Sequence, residues 1–152
     1  MLSQRARYAL KALLNIARTD RTAQQVSAIA EQENIPRKFL ESIMGDLRRA
    51  ALVKSTRGNM GGYRLARPAD LITFAEVVRS TDGPIAMLPC VSRNFYQRCE
   101  DCDDEMTCAL RKVFSEVRDV VNDILEHRTL ADALQLSQQG QSVEEMIAPA
   151  SY

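Results

Sequence analysis

All four cysteines of this 152-residue chain, Cys90, Cys99, Cys102 and Cys108, fall within nineteen residues, separated by eight, two and five others. Four soft thiolate donors on one stretch can hold an iron-sulfur cluster or zinc. The stretch has neither helical nor strand periodicity, so apolar burial contributes little to its shape. Three chemistries compete for it. An iron-sulfur centre comes first, since there are four cysteines and no neighbouring histidine. Thiol switching without metal is second, with Cys99 and Cys102 as a close pair able to form a disulfide. Structural zinc is third, because Cys-x2-Cys suits half of such a site while the flanking intervals lack knuckle spacing. The acidic run Glu100, Asp101, Asp103, Asp104 and Glu105 should raise thiol pKa values and disfavours an anionic cluster. His127, the only histidine, falls near a predicted helix end, where it complements the dipole. No histidine neighbours a serine or cysteine nucleophile, so the sequence argues against an enzyme.

The second chemical signal is charge. Residues 1–68 hold 13 Lys and Arg against 5 Asp and Glu, a balance of +8, whereas residues 69–152 hold 7 against 15. The front half is therefore built to meet a polyanion, and for a basic domain of this size double-stranded DNA is the expected partner. No apolar run approaches the length of a membrane span, and Met1 to Arg7 offers no signal-peptide core; a cytoplasmic protein is expected, where clustered thiols stay reduced.

These residues must be positioned by a mainly α fold. From Gln4 to Thr19, Ala6, Leu10, Leu13, Leu14 and Ala17 form an amphipathic stripe, and a short helix at 25–32 buries Val26, Ile29 and Ala30. Asn34 suits the left-handed position past a helix end, and Pro36 starts the next helix. That helix, 36–50, buries Phe39, Leu40, Ile43, Met44 and Leu47 and exposes Arg37, Lys38, Glu41, Ser42, Asp46, Arg48 and Arg49: a helix-turn-helix signal. Gly45 within it is costly, and either close packing, the favoured reason, or a nearby phosphate backbone accounts for it. Two short alternating runs, 52–56 and 63–66, bracket a three-glycine loop and predict a β-hairpin wing with Arg57, Gly58 and Asn59 at its tip and Tyr63 at its return. Arg57 can enter a minor groove, and the glycines permit close approach to phosphate. The loop matches no nucleotide-binding pattern.

Thr73 and Glu76 form a capping box, and Phe74, Val77 and Val78 should pack under the wing. From Ala109 to His127 the apolar residues Leu110, Phe114, Val117, Val121 and Ile124 recur at alternating spacings of four and three, with Val113, Val120 and Leu125 broadening the face, a coiled-coil seam for a twin subunit. The expected organisation is a winged helix-turn-helix DNA-binding domain (1–82), a cysteine-rich sensor loop (83–108), a long C-terminal dimerisation helix with a short terminal helix (109–134), and a mobile tail (135–152).

Arg7-Tyr-Ala-Leu10, Ile29-Ala-Glu31, Ile35 through Leu47, Gly61-Gly-Tyr63-Arg-Leu65, the cysteine loop and Thr129-Leu130 together resemble the Rrf2-type family of bacterial winged-helix transcriptional regulators, which includes IscR, NsrR, RirA and CymR. The resemblance implies a homodimer that places 36–50 in successive major grooves and the Arg57 wings in minor grooves, on half-sites about one helical turn apart. It further implies that Arg37, Lys38, Glu41, Ser42, Arg48, Arg57, Gly58, Asn59 and Tyr63 contact DNA, and that cysteines of the loop bind a [2Fe-2S] or [4Fe-4S] centre, by which operator affinity is set. The histidine and aspartate that complete the cluster site in some members correspond to Arg111 and Arg7 here, which implies an all-cysteine site of Cys90, Cys99, Cys102 and Cys108. The alternatives are a cluster-free thiol/disulfide-switched repressor and a zinc-stabilised winged-helix module that binds another protein.

Overall fold

A computed structural model describes residues 2–19, 22–58 and 61–138. Its elements run α1 (Gln4–Arg18), α2 (Val26–Glu33), α3 (Arg37–Arg49), β1 (Val53–Thr56), β2 (Gly62–Leu65), α4 (Phe74–Asp82), α5 (Ala109–His127) and α6 (Leu130–Gln138), with 3-10 turns at Ala69–Leu71 and Pro89–Val91. This is the mainly helical winged helix-turn-helix expected from the sequence.

Local chemistry fixes the boundaries. Ser3 caps α1 by accepting from the Ala6 N–H at 3.0 Å. Asn34 ends α2 with φ 52 and ψ 52, and its N–H returns to the Ala30 and Glu31 carbonyls. Thr73 and Glu76 form the expected capping box, each side chain accepting from the other's backbone N–H. Thr129 and Asp132 repeat that arrangement at the start of α6.

One apolar core gathers Leu13 and Ile16 from α1, Ile29 from α2, Leu40, Ile43, Met44 and Leu47 from α3, Val53 from β1, Ile72, Val77 from α4 and Leu130 from α6. Two expectations change here. Helix α4, expected under the wing, makes its main contacts with α1 and then with α3 and α5 alike. The terminal helix, grouped by sequence with the dimerisation helix, folds back on α1 and the Ala69–Leu71 turn and runs on to Gln138, past the expected start of the tail at 135. The chain after α5 is held there by a Thr73–Thr129 bridge, with Phe74 N–H donating to Arg128 O at 2.9 Å and Leu130 N–H to Ile72 O at 3.0 Å. Residues 139–152, which carry the rest of the expected tail, lie outside the described residues.

The hairpin pairs Val53 with Leu65, Lys54 with Arg64, Ser55 with Tyr63 and Thr56 with Gly62. A Cβ on Gly61 would sit 2.5 Å from the Thr56 carbonyl oxygen, and one on Gly62 would sit 2.5 Å from that of Gln24, so only glycine permits these approaches. Gln24 adds a third short strand contact through reciprocal bonds with Tyr63, at 2.8 and 2.7 Å. No described helix is long and apolar enough to cross a membrane.

Candidate nucleic-acid interface and cysteine loop

Burial of Leu40, Ile43, Met44 and Leu47 on the inner side of α3 leaves Arg37, Lys38, Glu41, Ser42, Arg48 and Arg49 exposed on the other. Positions 38, 41, 42, 45, 48 and 49 follow the three-and-four spacing of a single helix face. Arg37 donates to Glu41 at 2.9 Å. Arg49 pairs with Asp46. Gly45 sits mid-face, and a Cβ built there would meet only the Arg49 guanidinium, at 3.8 Å. The close-packing explanation for Gly45 is thereby overturned: nothing inside the protein needs the space.

Arg57 and Gly58 are exposed at the end of the hairpin, with Gly58 at φ 109, and no described carboxylate pairs with Arg57, Lys38 or Arg48. Asn59 lies outside the described residues. Tyr63, at the return of the hairpin opposite Ser55, is half-buried against the core and exchanges backbone bonds with Gln24.

Three cations escaped sequence reasoning. Lys54 and Arg64 face each other across the hairpin, an unfavourable like-charge pair that an anion would relieve. Arg5, on α1, reaches across to α3, donating to Ser42 Oγ at 3.1 Å, pairing with Asp46 and lying 5.9 Å from the Phe39 ring centroid. The strand alternation signals the first two. The contact of Arg5 is tertiary and has no local signature.

Cys99 feels both Cys90 and Cys102, and Cys102 feels Cys108. Among the described residues no three His, Cys, Asp or Glu side chains converge to hold a metal ion. Cys90, Cys99, Cys102 and Cys108 thus follow one another as interacting neighbours without forming a preformed metal site. The donor types suit an iron-sulfur centre; their arrangement is not a ready-made cage. Hydrogen bonding to Cys90, then desolvation, then the charges of Cys90, Asp101 and Cys102 push the Cys99 thiol up to about 11. Desolvation, the bond to Cys108 and the Glu105 carboxylate raise Cys102 as well. Both thiols are therefore protonated near neutral pH.

Polar contacts hold this loop. Tyr96 Oη donates to Glu105 at 2.5 Å, Arg111 pairs with Glu105 at 3.4 Å, and Arg98 donates to the Cys102 and Asp103 carbonyls. Cys90 is buried in the Pro89–Val91 turn, and Cys108 is the N-cap of α5. A second polar knot joins α4 to α5: Arg79 donates to Asn122 Oδ1 at 2.6 Å, and Asn122 Nδ2 donates to the Ile85 and Arg118 carbonyls. Asn122 is the one buried residue of α5. His127 closes that helix as expected, its Nδ1 within 2.7 Å of the Asp123 carbonyl.

The apolar face of α5 divides in two. Phe114, Val117, Val121 and Leu125 are half-buried against their own protomer, while Leu110, Val113, Val120 and Ile124 are exposed. With Val117 the exposed set runs 110, 113, 117, 120, 124, a regular alternation of three and four. Of the apolar face expected from sequence, Leu110, Val113, Val120 and Ile124 are thus the part left to solvent.

A helix-turn-helix with a glycine-tight basic wing defines a class of DNA-binding regulator. Comparison with known proteins agrees: the family model described as Rrf2, iron-dependent transcriptional regulator, matches residues 2–135. This chain belongs to the Rrf2 family of transcriptional regulators. It is 45% identical over 138 residues to an rrf2-like HTH-type transcriptional regulator of Rhodobacter capsulatus, covering 88% of this chain and 92% of that one. It is 32% identical over 132 residues to the HTH-type transcriptional regulator CymR of Bacillus subtilis, covering 86% and 87%. Among solved structures, CymR, the global cysteine regulator of B. subtilis, aligns with a TM-score of 0.74 at 30% identity, over 90% of this chain and 97% of that one. IscR of T. potens aligns with a TM-score of 0.73 at 25% identity, over 93% and 91%. These relatives are named as regulators, in agreement with the absence of an enzymatic signature in the sequence.

Proposed function

We propose that this chain is a homodimeric, operator-binding transcriptional regulator whose DNA affinity is set at the cysteine loop. The observation that carries the reading is the outer face of α3, where Lys38, Glu41 and Ser42 stand exposed around the bare backbone of Gly45, together with the exposed Arg57 of the wing, which pairs with no carboxylate among the described residues. Lysine and arginine suit phosphate and guanine, and glutamate accepts from a cytosine amino group. Gly45 lets a groove wall approach the helix axis. Two copies joined along Leu110, Val113, Val120 and Ile124 would cover the apolar residues that α5 leaves in water, and would present two α3 helices to half-sites roughly 34 Å apart.

For the loop, Cys90, Cys99, Cys102 and Cys108 would hold an iron-sulfur centre, which supplies a redox- and iron-responsive bond set when present. The family description and the all-thiol donor set support this. A second reading is a metal-free thiol switch, whose candidate disulfides are Cys99–Cys102, Cys90–Cys99 and Cys102–Cys108, the neighbours that raise these thiols.

A band shift of the full chain against a pool of random duplexes tests the core of the proposal: retarded, sequence-enriched complexes are expected, and an absence of enrichment would remove operator binding. Anaerobic reconstitution with iron and sulfide separates the two loop chemistries. Visible absorbance lost in Cys108→Ala supports the cluster. Colourless protein that yields peptides joined at any of these three pairs after peroxide supports the switch.

A further inference from the structure

We infer that Arg5 fixes the hydrogen-bonding polarity of Ser42, so that this serine reads hydrogen-bond acceptors on DNA and discriminates against cytosine. The inference rests on the proposed operator binding and specifies how one residue of that interface reads a base.

A serine hydroxyl carries one donor and two acceptor lone pairs, and can ordinarily read either kind of base edge. Here Arg5 Nη2 donates to Ser42 Oγ at 3.1 Å, so one lone pair is occupied. The guanidinium is not free to swing away. It is paired with Asp46, which also receives Arg49, and it rests 5.9 Å from the centroid of the Phe39 ring. Residues 39, 42 and 46 are one turn apart on α3, so three successive contacts hold the cation against the same helix edge.

Two consequences follow for Ser42. Its remaining lone pair lies beside a positive charge, which repels an approaching N–H group. Its O–H is polarised by the bond it accepts and becomes the better donor. Ser42 is exposed, and no backbone carbonyl within α3 receives its proton, unlike Ser80 and Thr81 of α4, whose hydroxyls donate to Val77. The O–H is therefore available to a partner outside the protein.

In the major groove, guanine offers N7 and O6, adenine N7 and thymine O4 as acceptors, whereas cytosine offers only its amino donor. A hydroxyl held as a donor accepts the first three and rejects cytosine. Its neighbour Glu41 has the opposite character: a carboxylate accepts only, and Arg37 occupies one of its oxygens. The two adjacent side chains thus require a donor edge under Glu41 and an acceptor edge under Ser42.

Arg5 is a positioning residue in this scheme, acting through Ser42. The experiment is selection from a random duplex pool, with sequencing, using the full-length wild type, Arg5→Met, Arg5→Lys and Ser42→Ala. The wild type should show one base position per half-site at which cytosine is depleted by about tenfold, a single hydrogen bond's worth of discrimination. In Arg5→Met, which keeps the alkyl stem over Phe39, cytosine should recover at that position alone; Ser42→Ala should lose the same preference, and Arg5→Lys should restore it. A merely structural Arg5 would lower affinity evenly across all sequences and leave the preference matrix unchanged, and that result overturns the inference, as does cytosine depletion that persists in Ser42→Ala. Loss of selection by every protein, wild type included, would instead remove the operator-binding reading on which it stands.

Discussion

The recognition helix and the cysteine loop are held by different forces. Helix α3 is fastened by four side chains, Leu40, Ile43, Met44 and Leu47, that are wholly removed from water and shared with α1, α4 and β1. The loop between α4 and α5 leaves Met87, Phe95, Tyr96 and Met106 in solvent and relies on exposed polar bonds such as Tyr96 to Glu105 and Arg98 to Cys102. A surface that reads DNA gains from a geometry set before contact. A surface that senses gains from one that changes at low cost, and polar bonds exposed to water are each worth little net free energy.

The largest expected effect tests that contrast directly. Leu40→Ala should destabilise the fold by roughly 2–5 kcal/mol, while Met106→Ala should change stability by no more than about 0.5 kcal/mol, both read from denaturant midpoints. Comparable losses would show that the loop is as integral as α3. Next, Arg57→Ala should weaken operator binding about tenfold and flatten the log–log salt slope by about one unit, measured by titration at several salt concentrations. An unchanged slope would take the wing out of the interface.

Gly45→Ala sharpens the comparison within α3 itself. The substitution should stabilise the protein by up to about 1 kcal/mol, since helix propensity improves and no neighbour objects, yet it should reduce DNA affinity by placing a methyl group on the reading face. Stability gained without loss of binding would leave this glycine unexplained.

The smallest effect is a pH dependence. Burial pushes the Glu76 carboxyl up, but the Thr73 N–H and the Arg67 guanidinium outweigh it, and the group titrates below its usual 4.5. A carboxylate depressed in the folded state contributes stability above 4.5 that disappears as pH falls through the lower folded value. Glu76→Gln should therefore lose less stability than the wild type between about pH 7 and pH 3, as thermal melts would show. Equal losses would place the acid sensitivity elsewhere.

Periodicity and capping chemistry made most of the fold legible. The stripe of α1, Asn34 at the end of α2, the Thr73–Glu76 box and the hairpin between Val53 and Leu65 each follow from local rules. The rest depended on contacts distant in sequence. Arg5 meets Ser42 across 37 positions, and the return of α6 to the core through Leu130 carries no local sign. On α5 the apolar residues were identified correctly, but deciding which of two stripes faces outward required knowing where α4 sits.

The stitch between Thr73 and Thr129 makes α5 a strut moored at its far end and again midway, where Asn122 meets Arg79. Its tail is clamped to the reading domain, while its head, at Cys108, carries the sulfurs. Anything that shifts Cys108 would thus reach the DNA-reading core by two moorings, one midway along the helix at Asn122 and one at its end.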